Sequence, residues 1–283
     1  MLGMATILAV SAQAQQGRVA GRIVAAKVKG TVTATNTADN SKRELHDNDA
    51  ITDHYVVTTA QNSSVILVFS NGSTINLAQD STLSIEQFLQ DPFSTSYSMA
   101  TATEEPSTSV TKMTLARGEL VGNVKHLHKD GPNGSSFSVN TPVGAAGIRG
   151  TTFRIVFRPD SSGKAFFTLS TAEGEVILTG TTSQNIANVP TGQEVVVTVE
   201  VNVDAATGAV TVTAPPTVVT QNIPAATQAA IAAATQDIVS ANSGVIFTSA
   251  TTSNNTPPPA PPPPSPPPAP TQPQDNTTPG DGK

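Results

Sequence analysis

The chain has 283 residues, with 15 Lys or Arg against 21 Asp or Glu, a net charge of −6, no cysteine and no tryptophan. Disulfides, thiolate zinc sites and cysteine nucleophiles are excluded, and the acidic balance argues against nucleic acid as a partner. With aromatics at 4% and charged residues at 13%, exposed rings are too few for sugar or base stacking, and surface wetting falls to Ser, Thr, Asn and Gln, as suits an exported protein.

Residues 1–10 form an apolar run, and Ala12-Gln13-Ala14 has the small-x-small form that signal peptidase cuts, so a signal peptide is predicted over 1–14. No basic residue precedes the run, which leaves open an atypical leader or a start further upstream. No later stretch approaches the ~20 apolar residues of a membrane helix, so the mature chain is expected not to span a bilayer. From Val19 to Val212 apolar residues recur with period two, the pattern of short strands. Asn71-Gly72-Ser73 is a tight-turn signal between Ser64-Val65-Ile66-Leu67-Val68-Phe69 and Thr74-Ile75-Asn76-Leu77. Met113-Thr114-Leu115 and Leu120-Val121 read as two strands. Residues 90–109, rich in Ser and Thr with Pro92 and Pro106, read as a long surface loop, and Glu104-Glu105 within it as a solvated charge pair. An Ala-rich helix is predicted over 224–242, laid against the sheet edge by Ile231 and Ile238. The proline-rich tail, 251–283, is expected to be disordered and to serve as a spacer, with polyproline II over 257–270.

Few residues suggest chemistry. Between Thr141-Pro142 and Thr151, Gly144, Gly147 and Gly150 are evenly spaced around Arg149. Amides and a guanidinium could cradle an anion there. The residues fit better a tight corner, with Gly150 at positive φ and Arg149 bonded to neighbouring carbonyls. His126-Leu127-His128 has the only metal-like spacing; on a strand both imidazoles would share one side, but a third ligand must come from elsewhere. Asp47, Asp49 and Asp53 alternate like the acids of a calcium loop but lack its central glycine and final bidentate glutamate, so turn chemistry is the better account. No Gly-x-Ser-x-Gly or triad signal exists, and no cofactor is expected.

The ordered series Val28-Lys29-Gly30-Thr31-Val32, Val57-Thr58-Thr59, Ser70-Asn71-Gly72-Ser73, Arg117-Gly118-Glu119, Asn140-Thr141-Pro142, Ile148-Arg149-Gly150-Thr151, Glu173-Gly174-Glu175-Val176 and Gly192-Gln193-Glu194 resembles the FecR domain, over about residues 22–197. Asn48-Asp49 stands where that family usually has Gly-Asp, a swap that keeps a turn-capable residue. The resemblance implies an all-β fold, either a β-solenoid-like coil or a rolled sheet, followed by trailing strands over 198–220. It treats Asn71, Gly72, Ser73, Thr141, Pro142, Arg149, Gly150 and Thr151 as a structural turn motif. It also implies a periplasmic, extracellular or cell-surface location. The function expected is non-catalytic binding and signalling, recognising a protein or cell-envelope partner. Two alternatives stay open: the periplasmic part of a transmembrane anti-sigma-type regulator whose start lies upstream, and a metal-dependent hydrolase built on His126 and His128.

Overall fold

The structure, a computed structural model, describes residues 17–128, 134–160, 162–181, 184–204 and 210–255; the predicted signal peptide and nearly all of the proline-rich tail lie outside them. Strands dominate the chain, as period-two patterning predicts, and they form two large sheets. In the first, β4 (Lys42–Glu44), β3 (Val32–Asn36), β6 (Tyr55–Thr59) and β9 (Thr82–Gln90) lead to the first half of β11 (Ser109–Asn123). It continues through β12 (Ser136–Thr141), β13 (Gly144–Ile148) and β16 (Glu175–Gly180) to β17 (Asn185–Pro190), and the two residues of β1 (Val19–Ala20) join the end of β9. In the second, β5 (Ala50–Ile51), β2 (Ile23–Lys29), β7 (Ser64–Phe69) and β8 (Thr74–Leu77) meet the second half of β11. Beyond it lie β14 (Thr152–Pro159), β15 (Lys164–Glu173), β18 (Gln193–Val203) and β20 (Thr217–Asn222), with β19 (Val210–Val212) on the far end of β18.

The single strand β11 therefore belongs to both sheets. Up to Arg117 it pairs with β9; from Gly118 it pairs with β14, and from Leu120 with β8 as well. The switch falls at a break in register and at Gly118, whose φ is +105°, where an added Cβ would sit 2.5 Å from Ser81 Cα. Only glycine combines that backbone with that approach. The two strands expected from Met113 and Leu120 are thus one bent strand. Its hydrogen-bonded path never returns to its start, so the body is two sheets rolled on a shared strand rather than a closed barrel. Except for β11 with β12, the ladders are antiparallel, and the solenoid alternative has no counterpart among the described residues.

One apolar core fills the space between the sheets, including Leu67, Phe69, Phe88, Leu120, Phe153, Phe157 and Phe167. Phe69 and Phe88 meet edge to face at 5.1 Å. The unbroken apolar run of β7 has a direct cause: Val65, Leu67 and Phe69 enter this core, while Ile66 and Val68 enter a second cluster on the opposite face. That outer cluster is closed by a small sheet of β10 (Tyr97–Ser98), β21 (Val245–Ser249) and β22 (Thr252–Asn255), with Met99 and Phe247 buried beneath. The predicted loop 90–109 accordingly contains a strand and buried side chains, because its apolar residues are too few to register as a period. The helix, α1 (Ala225–Asn242), starts after Pro224 and packs Ile231 and Ile238 with Val121 and Ile223. It lies over the face of the second sheet, not the edge that its sequence suggested.

Candidate functional site

Several of the turn residues singled out in the sequence are more buried than turns usually are. Between β7 and β8, Gly72 N–H donates to Phe69 O (2.9 Å) and Ser73 N–H to Asn71 Oδ1 (3.0 Å), an Asx turn. Asn71 and Ser73 are fully buried, and Asn71 Nδ2 donates to Ser109 Oγ (3.1 Å), which ties the turn to β11. Between β12 and β13, Thr141 Oγ1 donates to Gly144 O (3.0 Å), with Pro142 inside the turn. At the corner before β14, Gly150 has φ +60°, and an added Cβ would lie 2.8 Å from His126 Nδ1. Thr151 exchanges both backbone hydrogen bonds with Val124 at 3.0 Å. Arg149 does not bond the neighbouring carbonyls as expected: its side chain is exposed, and Thr151 Oγ1 donates to Arg149 O instead (3.0 Å).

The two histidines diverge in role. His126 is exposed beside Gly150, and its backbone pairs with Thr103 and Glu105. His128 places Nδ1 3.6 Å from Glu105 Oε1, and buried Leu127 separates the two. Among the described residues no group of three His, Asp or Glu is placed to hold a metal. The aspartates act as backbone acceptors, Asp47 Oδ1 for Val28 N–H and Asp49 Oδ2 for His46 N–H at one turn, and Asp53 Oδ2 for Phe88 N–H elsewhere.

Glu105, expected to be solvated, is 3% exposed. It accepts from Ser109 Oγ (2.8 Å), from Ser135 Oγ and from His128 N–H (2.6 Å). Burial pushes its carboxyl above the ordinary value, against the opposing pull of those donors. No local sequence signal distinguishes it from Glu104, because the donors arrive from residues 109, 128 and 135.

Lys125 was also missed. It is half-buried, desolvation lowers its pKa, and the charge of Glu173 partly offsets this. Glu173 Oε2 accepts from Thr152 Oγ1 at 3.3 Å.

The sheet edges differ sharply. β4 is charged along its length, β5 has two residues, and β17 pairs through a bulge and ends on Pro190. Each is a device that blunts an edge. β20 has none: it is six residues of Thr-Val-Val-Thr-Gln-Asn, all exposed, with Val218 at 39% and Val219 at 51%. Its polarity follows from hydrogen bonds at its end. Ile223 N–H donates to Gly192 O in the β18–β20 register, and Val201 N–H points the other way, to Gly163 O. By strand alternation, the amides and carbonyls of Val218, Thr220 and Asn222 face the free edge.

Residues 55–176 match the family model described as FecR protein. The chain carries a FecR domain. The matched FecR segment opens at β6, takes in β11 with its Gly118 corner and the Arg149-Gly150-Thr151 corner, and closes in β16; β18, β20 and α1 lie beyond it. Two crystal structures of a candidate anti-sigma factor from Parabacteroides distasonis align at 12% and 14% identity, each with a TM-score of 0.38, over 62% of this chain. The alignments cover 62% and 63% of those chains, less than two thirds of their length. A comparison with curated proteins finds no match.

Proposed function

We propose that this protein is an exported, non-catalytic recognition module of the cell envelope that captures a protein partner by strand addition on β20. The observation that carries the reading is the contrast of edges: three of the four ends of the two sheets are blunted, and the fourth offers uncharged, largely β-branched residues whose outward amides have no strand partner among the described residues. Main-chain hydrogen bonds supply affinity in such binding, and alternate side chains supply selection. Val218 and Val219 then contribute one apolar contact to each face of the extended sheet. The FecR domain supports a regulatory role, in which partner capture is the input or the output of a signal. Among the described residues no helix is long and apolar enough to cross a membrane.

The test is a photo-crosslinker at position 219, exposed in cells that express the full chain, with and without Thr220→Pro. Proline at 220 removes an amide that the fold leaves unused, so melting stays near wild type while the partner strand loses a hydrogen bond. One discrete adduct, lost with Thr220→Pro and absent from a crosslinker at Lys42 on β4, is expected. An adduct that survives Thr220→Pro contradicts strand addition at this edge.

A further inference from the structure

Two cavities that share Glu173 open beside the second sheet, the larger of them reaching Ile223 just past the end of β20. The smaller, about 200 Å³, is polar and bounded by Lys125, His126, Asn123 and Thr151. The larger, about 670 Å³, runs beneath α1 over Ile223, Ile231 and Ala172. The Ala-rich sequence of α1 explains why room remains: Ile231 and Ile238 hold the helix off the sheet, and the alanines between them do not fill the gap.

The polar cavity holds an unusual pair of charges. Lys125 is half-buried, and among the described residues its ammonium has no hydrogen-bond acceptor and no ion-pair partner. Glu173 lies close enough to influence it but beyond ion-pair contact, and is held by Thr152 alone. A half-desolvated cation without a partner is costly, and an incoming anion would offset that cost. A simple carboxylate would meet repulsion from Glu173, and a simple amine would meet repulsion from Lys125. A molecule carrying an ammonium and a carboxylate on one carbon satisfies both, and the apolar cavity beside Glu173 offers its side chain a dry wall.

We propose that this cleft binds a free α-amino acid with an apolar side chain, its carboxylate on Lys125 and its ammonium on Glu173. The site is independent of strand addition at β20. It would also place the ligand in contact with both α1 and the sheet, adding to the contacts that Ile231, Ile238 and Asn242 already make.

Isothermal titration of the full chain with L-leucine, leucinamide, N-acetyl-L-leucine and glycine tests it. L-leucine is expected to bind saturably. The three analogues lack the carboxylate, the ammonium and the side chain in turn, and each should bind at least about tenfold more weakly, the scale of one lost charged or apolar contact. Glu173→Gln, an exposed substitution that leaves the fold intact, should weaken L-leucine by a similar factor, and Lys125→Met should abolish binding. Absence of saturable L-leucine binding overturns the proposal. So does any analogue that binds within about twofold of L-leucine, or undiminished binding by Glu173→Gln.

Discussion

Gly150 and Glu105 are the two positions where a single side chain decides most. Gly150 holds φ +60°, which a β-branched residue adopts only under strain, and its missing Cβ leaves room for the His126 ring 2.8 Å away. Gly150→Val should destabilise the chain by about 1–3 kcal/mol in chemical denaturation. His126→Ala in the same chain should restore only part of the loss, since it removes the clash and leaves the backbone strain. Glu105 sets a pH dependence. Its pKa is raised above the ordinary 4.5 by burial, so the folded chain keeps a proton that the unfolded chain releases. Its contribution to stability is fully present below 4.5 and lost as pH rises through the elevated value. Unfolding free energy should therefore fall across that window in the wild type. In Glu105→Gln, which has no proton to lose, that part of the slope should vanish. The Gly150 corner was legible in sequence because glycine and threonine at a turn leave a local mark. Glu105 was not, since its neighbours Ser109, His128 and Ser135 come together only in the fold.

At the scale of elements, β7 and β11 show what pattern can and cannot tell. The continuous apolar run of β7 matches burial on both faces, but nothing local says what covers the second face; that depends on residues beyond Tyr97 and Val245. The bend of β11 was hidden because Arg117-Gly118 looks like a turn between two strands, whereas it redirects one strand from sheet to sheet. Helix α1 was readable from Pro224 and its alanines, yet its docking surface was not, as Ala carries no directional signal. Ile231 and Ile238 are its large buried side chains, joined by Ala241 in the outer cluster, Asn242 bonded to Thr74 and Asp237 paired with Lys27. The double change Ile231→Ala and Ile238→Ala removes its two large buried apolar side chains, each worth about 2–5 kcal/mol when fully lost from a core. It should reduce the helical circular dichroism signal while the β signal and its melting midpoint persist. A coincident loss of both signals would show that α1 is integral to the body.

For the whole molecule, two sheets rolled on one strand give a rigid body whose outer ends are all blunted except β20. That arrangement accounts together for the single large core and the bare valines at one edge. The all-β class and the FecR resemblance could be read from alternating residues and ordered turns. The identity of the open edge could not, because an edge is defined by what fails to pair with it across the whole sheet. Residue-resolved amide hydrogen exchange along β20 therefore tests the central claim most directly. In the isolated chain Val218, Thr220 and Asn222 should exchange freely while Val219 and Gln221, turned toward β18, are protected; in the complex captured at position 219 all five should be protected. Protection of Val218, Thr220 and Asn222 in the isolated chain, or their unchanged exchange in the complex, would contradict the account.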